Sequence, residues 1–150
     1  MPGYGTGFGG GFGAPGTQGT LGGWWQRVGA TLVDGLVLLV PELILLTALG
    51  AAHAVVVGYL LALAVNLAYQ VLMLSGGGQT VGNKAVHTKV VDATTGALPG
   101  TGQVVIRWVV MFALGLLLGV GTLLDYLWPL WDSRNQTIHD KAAQTIVIRV

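Results

Sequence analysis

Charge is what this 150-residue sequence has least of: seven Lys or Arg and six Asp or Glu, 9 % of the chain. A soluble domain carries about 25 %, so the composition excludes an ordinary cytosolic enzyme. A net charge of +1 leaves no basic surface to neutralise phosphates, so nucleic acid is excluded as a partner. Cysteine is absent, which removes disulfides, zinc–thiolate sites and thiol catalysis. What the sequence has instead is 25 glycines, and apolar residues, 53 % of the chain, gathered into long blocks. The mean hydropathy is +0.70. These blocks read as an α-helical integral membrane protein whose solvent is the lipid bilayer.

Residues 1–23 hold eleven glycines and no charge, and read as a disordered Gly/aromatic-rich tail. They lack the basic start and compact apolar run of a signal peptide. Residues 24–150 form the membrane domain, with spans expected at about 28–49, 54–74 and 104–131. Asp34 and Pro41-Glu42 interrupt the first block; the second has no charge. Gly50-Ala51-Ala52-His53 joins the two as a tight antiparallel hairpin. The third block has 28 residues and would reach about 42 Å as one helix, against a hydrocarbon core of about 30 Å. It is either a strongly tilted span or, as favoured here, a hairpin of two shorter helices bending near Gly119-Val120-Gly121.

The loop 75–103 and the tail 132–150 are different in kind. Ser75-Gly76-Gly77-Gly78 is expected to break the second helix, and Gln79–Val86 to form a short surface helix. Lys89–Asp92 and Thr145–Val150 have strand composition. A lone strand is unstable, so the two are expected to pair, with Val90, Ile146 and Ile148 sharing one apolar face. Arg27, Lys84, Lys89, Arg134, Lys141 and Arg149 flank the blocks, whereas the turn between the first two spans has no cation. The positive-inside rule then makes this a multi-pass plasma-membrane protein with both termini and the middle loop cytoplasmic.

Asp34 is the most informative residue, because an acid near a helix centre costs about 2.5–3.5 kcal/mol on insertion scales. Arg27 lies seven residues earlier on the same face, about 10 Å away along the axis. The pair reads as an ion- or proton-accessible carboxylate with a cationic neighbour, or as a structural polar cluster engaging Asn66 and Gln70. Glu42, next to a helix-interrupting proline, either reaches the outer interface or lines a cavity. Arg107, Asp125, Asp132 and His139 are secondary polar candidates. Gly77 to Lys84 fails the phosphate-loop pattern, since Asn83 precedes Lys84 and Ala85 follows it. His139-Asp140 has no third ligand in register, so neither metal nor cofactor is expected.

Three motifs together carry a resemblance. Arg27-x-x-Ala30-x-x-x-Asp34 resembles the opening of the RDD family of small bacterial membrane proteins. Gly78-Gln79-Thr80-Val81-Gly82-Asn83-Lys84, followed by Lys89-Val90-Val91-Asp92, looks like that family's middle loop. Asn135 to Val147 looks like its carboxyl-terminal signature. Gln144 departs from it where a glycine is usual, and Asn83 where a lysine is common. The family is named for one arginine and two aspartates; Arg27 and Asp34 match the first two, and Asp140 is chosen as the second aspartate over Asp125 and Asp132. The resemblance implies a function only loosely, with some members linked to sodium/proton exchange.

Two functions from different classes fit. One is a small transporter or ion-translocating subunit using Asp34, which at this size needs a homo-oligomer or membrane partner protein to enclose a pathway. The other is a non-transporting membrane scaffold or accessory protein that docks a cytoplasmic partner. No nucleophile–base pair can be named, so an enzyme is not expected.

Overall fold

The computed structural model describes residues 20–49 and 52–150. Residues 1–19 of the expected tail, Gly50-Ala51 of the turn, and the side chain of His53 lie outside the described residues.

The first two apolar blocks form helices longer than the sequence suggests: α1 (Trp24–Leu49) and α2 (Ala52–Gly77). α1 continues through Pro41. α2 runs past Ser75 and two glycines and stops at Gly78, whose φ of 72° turns its N–H onto the Leu74 carbonyl at 2.8 Å. Glycine within a helix costs only about 1 kcal/mol, whereas a left-handed residue terminates it. Each 26-residue helix is about 39 Å long. Only 11 % of the first candidate span and 6 % of the second is buried. Their apolar side chains therefore face outward, the opposite of a soluble core helix. Among the described residues, two helices are long and apolar enough to cross a membrane.

The intervening loop holds the short helix α3 (Val81–Ala85) and strand β1 (Thr88–Asp92). The third block is a helical hairpin rather than one helix. α4 (Thr101–Gly115) ends in a turn in which Leu118 and Gly119 have φ of 50° and 81°, and α5 (Val120–Leu127) folds back onto it. A Cβ on Gly121 would lie 2.4 Å from the Leu114 carbonyl oxygen, so glycine is what allows the two helices this approach. A single 3-10 turn, Trp128–Leu130, leads to α6 (Ile138–Ala142) and strand β2 (Thr145–Arg149).

β1 and β2 pair antiparallel, with Val90 opposite Val147 and Val91 opposite Ile146. Directly opposed residues share a face, so the expected grouping of Val90 with Ile146 and Ile148 is corrected. Val90 and Val147 pack with Leu74 and Val104 against the helices. Val91, Ile146 and Ile148 pack with Ala93 and Leu21 on the other face. The last residues of the expected tail also join this sheet. The Gly22 amide donates to the Val147 carbonyl (2.9 Å), and the Arg149 amide to the Thr20 carbonyl (2.8 Å). β2 thus lies between β1 and residues 20–22, and the tail boundary expected at residue 23 falls too late.

Candidate functional site

The polar residues of the helices gather where the helices meet the sheet. Thr137 caps α6: its hydroxyl accepts from the Asp140 amide (3.1 Å), while the Asp140 carboxylate accepts from the Thr137 amide (3.2 Å). This reciprocal cap fixes Asp140, which is fully buried. Arg27, in the first turn of α1, donates to Asp140 Oδ2 at 2.6 Å. Arg107 of α4 pairs with Asp140 Oδ1 and donates to the Thr145 hydroxyl at 2.6 Å. One carboxylate thereby ties together α1, α4, α6 and the start of β2. Burial alone would raise its pKa, but the guanidiniums of Arg107 and Arg27 outweigh burial and hold it well below the usual carboxylate range.

The cluster extends one step further. His139 Nδ1 lies 2.5 Å from Asp125 Oδ2, and the His139 amide donates to Asp125 Oδ1 at 3.0 Å. Its Nε2 lies 3.3 Å from Arg107 Nη2. The same Nε2 lies 3.7 Å from Asp140 Oδ1, so the imidazole bridges the Asp125 carboxylate and the Arg107–Asp140 pair. Arg107, Asp125 and His139, secondary candidates in the sequence, therefore belong to the same cluster as Arg27 and Asp140.

Asp34 does not. The expectation that Arg27 is its cationic neighbour is corrected: the guanidinium turns to the tail and the carboxylate to the middle loop. Asp34 accepts from the Tyr69 hydroxyl (2.7 Å), the Thr80 hydroxyl (2.6 Å) and the Gly82 amide (2.7 Å). Two helical turns separate the groups along α1, and each meets a closer partner from another element. Gly82 is demanded by this contact, since a Cβ there would lie 2.0 Å from the Ala30 carbonyl oxygen. Thr80 also caps α3 by accepting from the Asn83 amide at 3.1 Å.

The remaining candidates have separate roles. The Asn66 carbonyl oxygen accepts from the Trp108 indole at 2.9 Å, linking α2 to α4 rather than serving Asp34. Gln70 lines a cavity of about 210 Å³ bounded by Arg27, Asp34, Asn66, Arg107 and Trp108. Glu42 lines a second, more apolar cavity of about 350 Å³ with Tyr59 and Phe112. Asp132 accepts from the Gln136 and Arg134 amides (2.9 and 3.1 Å) and pairs with Lys141. Burial opposes its ionisation, but the Lys141 bond and these amides lower its pKa.

Sequence reasoning missed Asp92 as a polar centre. Its carboxylate accepts from the Thr95 and Thr94 amides (2.7 and 2.9 Å) and from the Gln103 amide (2.7 Å). The Thr95 bond, then those of Gln103 and Thr94, lower its pKa to about 2. The run Asp92-Ala93-Thr94-Thr95-Gly96 is the signal, since Asp caps turns through its own carboxylate. Among the described residues, no group of three or more His, Cys, Asp or Glu could hold a metal ion.

A protein named proline-rich antigen homolog from Mycobacterium tuberculosis (strain CDC 1551 / Oshkosh) is 34 % identical over 73 residues, 49 % of this chain and 29 % of that protein. The proline-rich antigen of Mycobacterium leprae (strain TN) is 32 % identical over 73 residues, 49 % of this chain and 28 % of that protein. The matched stretch thus spans less than a third of these curated relatives. No solved structure matches the chain significantly. The model of the RDD family matches residues 21–144, the stretch that contains every residue of the Asp34 and Asp140 clusters except Thr145, and the chain belongs to that family.

Proposed function

We propose that the chain is a non-catalytic accessory module of a bacterial plasma membrane, whose arginine and aspartates lock the sheet and tail onto the helices. The observation that carries this reading is saturation. Asp34 accepts from three donors, and Asp140 faces two guanidiniums. A carboxylate that carries an ion must exchange partners, and both acids are held from several elements at once. Both termini and residues 79–103 lie on the cytoplasmic side in this reading. The fifteen residues of α4 and eight of α5 reach about 22 and 12 Å. Both fall short of a core of about 30 Å, which favours a re-entrant pair. The module works as a homo-oligomer or with a membrane partner protein.

One observation favours the transporter reading instead: the cavity of about 210 Å³ opens beside Asp34 and Arg27. Ion flux in reconstituted vesicles across a pH series separates the two. The accessory reading expects no sodium, potassium or proton flux above empty vesicles. Flux abolished by Asp34→Asn in well-folded protein would replace it with the transporter reading.

A further inference from the structure

Four of the seven Lys and Arg residues have partners. Arg27 and Arg107 meet Asp140, Lys141 meets Asp132, and Arg134 donates to the Ala93 carbonyl at 2.9 Å. Lys84, Lys89 and Arg149 remain, and among the described residues none of the three forms an ion pair. Lys84 and Arg149 are exposed and Lys89 is half-buried. The fold joins them at one end of the sheet. The His87 amide donates to the Lys84 carbonyl (3.3 Å), the Val150 amide to the His87 carbonyl (3.0 Å), and Thr88 pairs with Arg149. No acid answers them. Asp34, which meets α3, is taken by three donors, and Asp92 closes its own turn at the other end of β1. Glu42 lies about 27 Å beyond Trp24 along α1, and residues 1–19 contain no acid.

These cations sit where the two long helices end. A Cβ on Gly23, just before α1, would lie 3.2 Å from Arg149 Nη2, and one on Gly78, just after α2, 2.8 Å from Lys89 Cε. α3 lies along the first turns of α1, because Gln26 Nε2 donates to the Val86 carbonyl at 3.0 Å and the Gly82 amide reaches Asp34. Lys84 stands between those two levels, with the exposed, apolar Val81 on the deeper side. Trp25, 77 % exposed, stands at the start of α1, and tryptophan favours the headgroup level. An apolar side chain below and cations around an exposed tryptophan is the order of a bilayer surface. We propose that Lys84, Lys89 and Arg149 form a docking surface for anionic lipid headgroups, which fastens the closed cap to the membrane. Each basic residue near an anionic leaflet strengthens binding about fivefold. The three come together only when β2 pairs with β1, so lipid bound there stabilises the closed cap by mass action. The proposal rests on the membrane placement given under the proposed function, but not on the absence of flux.

The test follows thermal unfolding of the full chain in lipid nanodiscs as phosphatidylglycerol replaces phosphatidylcholine. The wild type is expected to melt higher as the anionic lipid increases. That rise should vanish in about 1 M salt, where the Debye length is about 3 Å. The combined Lys84→Gln, Lys89→Gln, Arg149→Gln variant should melt like the wild type in pure phosphatidylcholine, since these side chains hold no ion pair, and should lose the rise. If it does not fold, Lys84→Gln alone decides, and should need about fivefold more phosphatidylglycerol for the same rise. No rise in the wild type, a rise indifferent to salt, or the same rise in the folded variant overturns the proposal and leaves these cations to solvent or to an acidic protein. A chain that does not enter the discs at all fails the membrane placement, and this proposal with it.

Discussion

Arg27 and Asp140 stand 113 residues apart in sequence and meet at 2.6 Å in a buried site. The same carboxylate binds Arg107, so removing it strands two cations. Breaking a buried ion pair by deleting one partner costs about 3–5 kcal/mol. Asp140→Ala is therefore expected to destabilise the protein by that order, as read by thermal unfolding in detergent. Arg27→Met combined with Asp140→Leu should cost less than the sum of the two single changes. Additive losses would show that the pair is not coupled.

Acid stability follows from the same groups. Asp140 and Asp92 both have folded-state pKa values below the unfolded value of about 3.9. A depressed carboxylate pKa contributes stability that is fully present above the unfolded pKa and is lost as pH falls through the folded one. These two acids should then leave stability flat from about pH 5 to 8, with a decline setting in below about pH 4. For Asp92 the loss runs down to about 2. Asp92→Asn should flatten its share of the decline without altering the melt at pH 7 as much as Asp140→Asn does. A wild-type melting temperature that falls between pH 7 and 5 through these residues would contradict the assignment.

Gln144 adopts φ of 54° with its side chain exposed. That conformation costs a non-glycine residue about 1–2 kcal/mol. Gln144→Gly is expected to raise stability by about 1 kcal/mol, after glycine's own entropic cost is subtracted. Denaturant midpoints of the two proteins check this, and a lower midpoint for the glycine variant would refute it.

Topology is testable with single cysteines in a chain that has none. Ala52→Cys and Thr95→Cys should react with an impermeant thiol reagent from opposite sides of intact cells or vesicles. Labelling of both from the same side would overturn the proposed arrangement.

Much of the helical framework could be read from the sequence, because hydrophobic blocks and their lengths are local properties. The bend in the third block was legible from length against bilayer thickness, and the pairing of Lys89–Asp92 with the tail from composition. Arg27 and Asp34 stood out for a similarly local reason, as charges at the edge of and within an apolar block. Their partners did not. Seven-residue spacing puts two side chains on one helix face, but it cannot say which distant element docks there. Asp140 reaches Arg27 only because the cap of α6 orients it. The faces of the sheet were misread for a related reason: strand composition gives pairing but not register, and a one-residue offset exchanges the two faces. The departure at Gln144 from the glycine that the resemblance implies falls on a residue with φ of 54°, a conformation that glycine adopts at no steric cost.

The arrangement of β2 between β1 and residues 20–22 has a consequence for biogenesis. The contacts that close the cap wait for Asp140 and Thr145–Arg149 to be made. At about 5–20 residues per second, the 113 residues from Arg27 to Asp140 take about 6 to 23 s to synthesise. Within that interval α1 and α2 are completed, while Arg27 has no Asp140 carboxylate to meet. The hydrophobic helices can therefore enter the bilayer while the ribosome is still working, but closure of the cap is a separate, later event. A protein stalled before residue 140 would be inserted and yet unfinished, with a cation and an unpaired strand open to proteases.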